Sequence, residues 1–252
     1  MLFEKNYGTL ILRFLKLLIT PITKRPLIFF EIKTFTQFPY LFAFDYNCID
    51  HTYNASNLFV DGYHFIALEE PMLETLDAFF TLLINQSVKV LVRLKPEGEY
   101  ASRGSISYWK NLLVQSSGYE LIFLSYTHSI PYCYTNQWMD NQPIELPILY
   151  DLVQQVRKAY ADQGEDGPIA CHCSAGVGRT GTFIAAYVLA NLLDSLDPSQ
   201  ISIEEIILKL SVQRPHMVST AEQYLTLYEF VDYYLEQKKN SISNETDQYY
   251  NL

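Results

Sequence analysis

The 252-residue sequence is poor in glycine and proline, with 10 and 11 residues respectively. These low counts argue against a fibrous or low-complexity chain. Lysine and arginine are also scarce, 18 against 28 acidic residues, so the formal net charge is −10. Sequence-independent binding of nucleic acid depends on basic side chains that neutralise phosphates, and we therefore expect no nucleic-acid partner. A small positive pocket stays compatible with this balance, because nearby groups set the potential of a site.

Cysteine is scarce as well: the chain has four residues, Cys48, Cys133, Cys171 and Cys173. That number is a poor disulfide framework for a chain of this length and suits a reducing compartment such as the cytoplasm. A structural zinc site needs two pairs of Cys or His ligands, and no second pair accompanies the run around His172. We therefore predict no metal ion and no other cofactor.

A hydrophobic run long enough to cross a membrane is missing. The stretch TLILRFLKLLITPI, residues 9–22, contains Arg13 and Lys16 and is too short to span a bilayer. Two interpretations stay open for it. We favour an amphipathic helix that packs on the domain over an interfacial helix that contacts a membrane surface.

Apolar residues, in contrast, make up 49% of the chain, enough for a sizeable core. The runs Ser87–Leu94, Tyr119–Thr127 and Pro168–Cys173 are β-branched or continuously apolar and predict buried strands. Residues 147–162 repeat apolar side chains with a helical period, and residues 180–196 are apolar nearly all round. This alternation predicts a single α/β domain with a central twisted mixed sheet flanked by helices.

The run IACHCSAGVGRTGTF, residues 169–183, lies between a predicted strand and the predicted buried helix. A turn at this place directs backbone N–H groups to one point, at the positive end of a helix. Gly176 and Gly178 allow a close approach that a Cβ would block, and Arg179 supplies a planar fork for two phosphate oxygens. The same groups favour a thiolate at Cys173, which becomes a nucleophile for a bound phosphorus. An inert buried cysteine would leave the glycines and the arginine unexplained.

The sequence HCSAGVGRTG, residues 172–181, resembles the signature loop of the protein tyrosine phosphatases, and the tyrosine-specific branch more than the dual-specificity one. The resemblance implies that Cys173 forms a phosphoenzyme, that His172 supports the loop and that Thr180 hydrogen-bonds the cysteine sulfur. The phosphate would be bound by Ser174, Ala175, Gly176, Val177, Gly178 and Arg179. At Cys171 we favour core packing over a redox pairing with Cys173, because residues two apart on one strand close poorly into a disulfide.

The segment YTNQWMDNQPIELP, residues 134–147, resembles the family's mobile Trp-Pro-Asp loop. Trp138 and Asp140 match, and Asp140 is the implied general acid, which gives a proton to the leaving oxygen. Met139 stands at the position of the proline and Gln142 at that of the glycine. Since proline restricts the backbone and glycine frees it, we expect loop closure to change and kcat to fall.

The segment SVQRPHMVSTAEQYLTLY, residues 211–228, resembles the family's Arg-x-x-Arg-x-x-x-Val-Gln-Thr-x-x-Gln-Tyr segment. Arg214 matches the second arginine. Ser219 stands at the first glutamine, which in the family places the water that hydrolyses the phosphoenzyme. Gln223 matches the second glutamine and is implied to share this task.

Two further site residues are implied with alternatives left open. A glutamate of the EGE run, Glu97 or Glu99, is implied to pair with Arg179. Tyr46 is implied to stack on the ring of a substrate tyrosine, and the alternative is an ordinary tyrosine in a loop.

The resemblance extends over most of residues 45–230 and sets the expected organisation of the chain. We assign residues 1–35 to an apolar helical extension, residues 36–240 to a protein tyrosine phosphatase-like catalytic domain and residues 241–252 to a polar tail. The implied partner is a phosphotyrosine-containing protein or peptide, and the domain would hydrolyse the phosphate ester on its tyrosine. The alternatives are a phosphotyrosine-binding module with little or no turnover and a phosphatase for other phosphoesters.

Overall fold

The structure, a computed structural model, describes residues 9–16, 38, 43, 46–50, 53–101, 104–115 and 119–250. A mixed sheet of eight strands forms the centre of this part, in the order β1-β2-β3-β8-β4-β7-β6-β5. The strands are β1 Cys48–Asp50, β2 Tyr53–Val60, β3 Tyr63–Leu68, β4 Val90–Leu94, β5 Leu113–Gln115, β6 Glu120–Ser125, β7 His128–Thr135 and β8 Ile169–His172.

Helices cover both faces of the sheet, which confirms the predicted α/β domain. They are α1 at residues 9–16, α2 Leu76–Asn85, α3 Leu146–Asp162, α4 Gly178–Ser195, α5 Ile203–Ser211 and α6 Ala221–Tyr250. Helix α2 packs on one face together with the aromatic residues Tyr108 and Trp109. The other five helices pack on the opposite face, where they form the larger core.

The direction of four central strands brings distant loops together. Strands β3, β8, β4 and β7 lie side by side and run parallel to one another. Because the carboxyl ends of parallel strands meet at one edge of a sheet, the loops that follow them are neighbours. These loops carry Glu70, Glu99, Asp140 and Cys173.

Strand β8 and helix α4 hold the centre of that edge. All four residues of β8 are buried, and its neighbours β3 and β4 pair with it in parallel register. Helix α4 begins at Gly178 and is buried without interruption from Gly178 to Ala190, as its apolar sequence predicts. A continuous apolar helix suits this place because it contacts the sheet on one side and α3, α5 and α6 on the others.

Two helices near the ends of the described residues, α1 and α6, belong to the larger core. In α1, Leu10 and Phe14 are buried, and the Phe14 ring lies 5.3 Å from the Tyr224 ring. Residues 1–8 and 17–35 of the predicted extension lie outside the described residues. The backbone of the predicted polar tail continues α6 to Tyr250. Within the described ranges, no helix has the length and apolar character needed to cross a bilayer.

Candidate active site

The turn between β8 and α4 is a cradle formed by Cys173–Arg179. Gly176 adopts a φ of +69°, and a Cβ at this position would lie 2.1 Å from the carbonyl oxygen of Leu68. Glycine is therefore required there, as the sequence predicts. A Cβ on Gly178 would come within 3.0 Å of Ser219 Oγ and 3.1 Å of Gln223 Oε1. The lack of a side chain at Gly178 keeps these two polar groups next to the cradle.

Arg214 holds the cradle from behind. This fully buried side chain donates from Nε to the Gly176 carbonyl at 2.8 Å and from Nη2 to the Ala175 carbonyl at 3.0 Å. Its Nη1 donates to Ser56 Oγ at 2.9 Å. A peptide N–H points opposite to its carbonyl, so these bonds turn the N–H groups of Gly176 and Val177 away from Arg214. Burial lowers the pKa of Arg214 to about 10, and the guanidinium stays charged at neutral pH.

His172 supports the cradle as a neutral imidazole. Its Nδ1 lies 3.0 Å from the Cys173 carbonyl oxygen, which accepts only, so Nδ1 carries the proton. Nε2 then accepts from the hydroxyl of Tyr108 at 2.7 Å. Complete burial lowers the pKa of His172 to about 3. The predicted supporting residue thus fixes the carbonyl of the residue that carries the nucleophile.

The environment of Cys173 favours a thiolate. Burial alone would raise the pKa of this thiol, but the Arg179 guanidinium, the Thr180 hydroxyl and the N–H groups of Thr180 and Val177 lower it below its usual range. Thr180 Oγ1 is buried without a nitrogen or oxygen partner in the described part of the chain, and its hydroxyl acts to lower the pKa of both Cys171 and Cys173. Cys171 differs: it lies in the core as a free thiol, and burial raises its pKa.

Glu99 is the glutamate that pairs with Arg179. Its Oε1 accepts from Nη1 at 3.0 Å and its Oε2 from Nη2 at 2.6 Å, a bidentate pair. Ser174 Oγ also donates to Glu99 Oε2 at 3.0 Å. Glu97 instead pairs with Lys110 on the surface. Arg179 Nε is a buried donor that lacks a partner among the described residues, which suits an anionic ligand beside it.

The loop after β7 lies over Arg179. The Trp138 carbonyl accepts from Arg179 Nη1 at 2.8 Å, and Asp140 Oδ1 accepts from Nη2 at 3.1 Å. The Trp138 ring is fully buried and donates to the Gln142 carbonyl at 3.0 Å. Between them, Asn141 adopts a φ of +55°, so it provides the left-handed turn residue in this loop. The expected general acid is thus in contact with the cradle through Arg179.

Most of the predicted site residues line one pocket of about 360 Å³. Cys173, Arg179, Asp140, Ser219 and Gln223 all lie on its wall. The Ser219 hydroxyl donates to the carbonyl of His216 at 2.8 Å, and the Ser219 N–H donates to Gln223 Oε1 at 2.9 Å. The predicted hydrolytic residues therefore interact with each other next to the nucleophile.

Tyr46 is placed differently from the expectation. It is not among the described residues that line this pocket, and its hydroxyl donates to the carbonyl of Val212. The aromatic rings on the pocket wall are those of Phe38 and Tyr100, whose centroids lie 6.0 Å apart at an interplanar angle of 85°. Neither ring was predicted. Phe38 belongs to an aromatic-rich run in which no position stands out, whereas Tyr100 directly follows Glu99 and was open to inference.

Known proteins are similar to this chain in sequence over the residues that form the site. A family model described as protein-tyrosine phosphatase matches residues 124–233, which include Asp140, the cradle and Gln223. Protein tyrosine phosphatase domain-containing protein 1 of Mus musculus is 27% identical over 170 residues, covering 67% of this chain and 20% of that protein. Tyrosine-protein phosphatase non-receptor type 20 of Mus musculus is 28% identical over 195 residues, covering 68% and 44%. This chain is similar to protein tyrosine phosphatases over the residues that form this site.

Solved structures share the fold of this chain over nearly its whole length. Trypanosoma brucei protein tyrosine phosphatase TbPTP1 matches with a TM-score of 0.74 and 18% identity, covering 89% of this chain and 90% of that one. PTPN18, solved in complex with HER2-pY1196 phosphopeptides, matches with a TM-score of 0.74 and 22% identity, covering 92% and 94%. The chain spans less than half the length of the two curated relatives above.

Proposed function

We propose that this chain hydrolyses phosphotyrosine in a protein or peptide through a cysteinyl-phosphate intermediate. The observation that supports the proposal is the placement of Cys173 and Asp140 on one pocket wall, with Arg179 in contact with Asp140 and lowering the pKa of Cys173. A pure binding site for an anion has no use for a general acid. The retained carboxylate therefore favours catalysis.

In the first step, the cradle N–H groups and Arg179 hold the phosphate dianion. The Cys173 thiolate attacks phosphorus, so an S–P bond forms as the P–O bond to the phenol breaks. Asp140 gives its proton to the departing phenolic oxygen. This oxygen is the poorer leaving group without a proton, and the acid therefore accelerates this step.

In the second step, water attacks the phosphorus and the S–P bond breaks. The Thr180 hydroxyl stabilises the departing thiolate, and the Asp140 carboxylate accepts a proton from the attacking water. Gln223 is the polar side chain left to orient this water, since the Ser219 hydroxyl already donates to the His216 carbonyl. The serine at position 219 is therefore expected to slow the second step.

A second candidate function follows from the hydrogen bond between the Ser219 hydroxyl and the His216 carbonyl. With the Ser219 hydroxyl occupied, a slow second step would leave a module that binds phosphotyrosine and turns over little. Rapid-quench kinetics separate the two functions. A burst of one phenol per protein followed by a slow steady state, accelerated in Ser219→Gln, favours the slow module. A fast steady state, with or without a burst, favours the first proposal.

Substrate class is tested with phosphotyrosine and phosphoserine peptides of one sequence and with a phosphoinositide. We expect phosphate release from the phosphotyrosine peptide and none from Cys173→Ser, while the matched control Cys48→Ser behaves as wild type. Equal release from the phosphoserine peptide or the phosphoinositide would replace this proposal by a phosphatase of broader specificity.

We place the activity in the cytoplasm, because the four cysteines are free thiols and the nucleophile requires a reduced sulfur.

A further inference from the structure

Tyr100 is joined to the loop that carries Asp140. It directly follows Glu99, lines the pocket, and donates from its hydroxyl to Asp140 Oδ2. Its backbone adopts a φ of +58°, a left-handed conformation that is uncommon for a bulky residue. Such a conformation persists where the surroundings hold it, and it is concentrated at functional sites.

The two oxygens of Asp140 have different partners. Oδ2 accepts from the Tyr100 hydroxyl and from Asn141 Nδ2 at 3.0 Å. Oδ1 lies 3.1 Å from Arg179 Nη2, on the side of the cradle. A protonated carboxyl has one oxygen that only accepts and one that carries the proton. Oδ2 accepts from two donors and Oδ1 from one, Arg179 Nη2, so the proton of the carboxyl group is assigned to Oδ1, the oxygen with fewer donors.

We propose that Tyr100 is a positioning residue for proton transfer. Its hydroxyl fixes Oδ2 of Asp140 as the accepting oxygen and so places the acidic proton on Oδ1, on the phosphate side. As the P–O bond breaks, the proton moves from Oδ1 to the phenolic oxygen, and Tyr100 and Asn141 remain as donors to the new carboxylate. This inference rests on the proposed function, because it needs an acid step to serve.

The leaving group distinguishes positioning from a structural role. Phenyl phosphate needs a proton on its departing oxygen, whereas 2,4-dinitrophenyl phosphate leaves as a stable anion without one. Tyr100→Phe keeps the ring and its contact with Phe38 and removes only the hydroxyl. Tyr126→Phe is the matched control, since Tyr126 is fully exposed in the turn between β6 and β7.

We expect Tyr100→Phe to lower kcat/KM for phenyl phosphate about 10-fold, part of the roughly 10²–10⁴-fold that a general acid supplies. With 2,4-dinitrophenyl phosphate the change stays within about twofold, because no acid is used. In an Asp140→Asn background, Tyr100→Phe has no further effect, since the group that it positions is gone. Unchanged thermal unfolding shows that the variant is folded.

Three results would overturn the positioning role alone, with wild-type turnover intact. The first is an equal loss of kcat/KM on the two substrates in Tyr100→Phe. The second is a kcat/KM for phenyl phosphate equal to that of Tyr126→Phe. The third is that Tyr100→Phe causes the same loss of kcat/KM in the Asp140→Asn background as in wild type. A wild-type protein that releases phenol from neither substrate overturns the proposed function instead, and the role of Tyr100 falls with it.

Discussion

The cradle and the Asp140 loop serve one pocket but are held in different ways. The cradle is buried, and Arg214 and His172 fix three of its carbonyls. The loop exposes 57% of Met139, and its acid is held by Arg179 and Tyr100. Segments with few buried contacts open at low free energy. The proposed nucleophile therefore lies in a segment held by the buried fold, whereas the proposed acid lies in a more exposed loop.

Replacing the nucleophile separates chemistry from binding most completely. Cys173→Ser puts a hydroxyl where the cradle stabilises a thiolate, so we expect turnover of a phosphotyrosine peptide to fall by at least about 10⁴-fold. Peptide affinity stays within about tenfold, because the N–H groups and Arg179 remain. Phosphate release and calorimetric titration measure the two quantities. Loss of peptide binding together with turnover would show that the cradle does not stand without its thiolate.

Replacing the acid gives the next largest effect. Asp140→Asn keeps the size of the side chain but removes the acidic proton, and we expect kcat to fall by about 10²–10³-fold. Peptide affinity should change little, since the cradle is untouched. Stopped-flow kinetics with a phosphotyrosine peptide measures kcat and KM. A loss confined to KM would contradict the assignment of Asp140 as the acid.

The cradle was predictable from sequence because its determinants are local. Gly176, Gly178 and Arg179 lie within one short run between an apolar strand and an apolar helix. The sequence of strand β7 did not predict a strand, because it contains polar residues and Pro131. In the structure this strand nevertheless pairs with β4 on one side and β6 on the other. A proline inside a strand of this kind argues against the strand in any pattern-based analysis.

The sequence did not predict which of two neighbouring side chains contacts a given partner where a backbone turn decides it. Glu97 and Glu99 flank Gly98, whose φ is +77°, and the chain turns so that one side chain meets Lys110 and the other Arg179. The aromatic wall likewise depends on where the fold places Phe38 and Tyr46. Phe38 lines the pocket and Tyr46 donates to the Val212 carbonyl, although both rings belong to one aromatic-rich run of the sequence.

The stability of the cradle should depend on pH through His172. Burial lowers the pKa of His172 from 6.5 to about 3, so the unfolded chain binds more protons between these values. The free energy of unfolding then falls as the pH drops below 6.5, by about 1.4 kcal/mol per pH unit from this residue. Urea midpoints from pH 6.5 to pH 4 measure the slope. His172→Asn keeps a donor near the Cys173 carbonyl and should have a flatter profile; parallel profiles would contradict a neutral buried His172.

The smallest expected effect tests the loop. Met139→Pro restricts an exposed loop residue, and a proline that fits the native backbone reduces the freedom lost on closure. We expect kcat to rise about two- to fivefold with KM unchanged, if loop closure limits turnover. Steady-state kinetics with a phosphotyrosine peptide provides the readout. An unchanged kcat would show that the loop is as well ordered as the cradle, and the contrast between the two regions would be lost.

The central claim is that the cradle forms a covalent cysteinyl phosphate. The most direct measurement mixes wild-type protein with a phosphotyrosine peptide, quenches with acid within milliseconds and maps the digested protein by mass spectrometry. The account predicts one added phosphoryl group on the peptide that contains Cys173, absent in Cys173→Ser. Release of phosphate in the same samples with Cys173 never phosphorylated would contradict it.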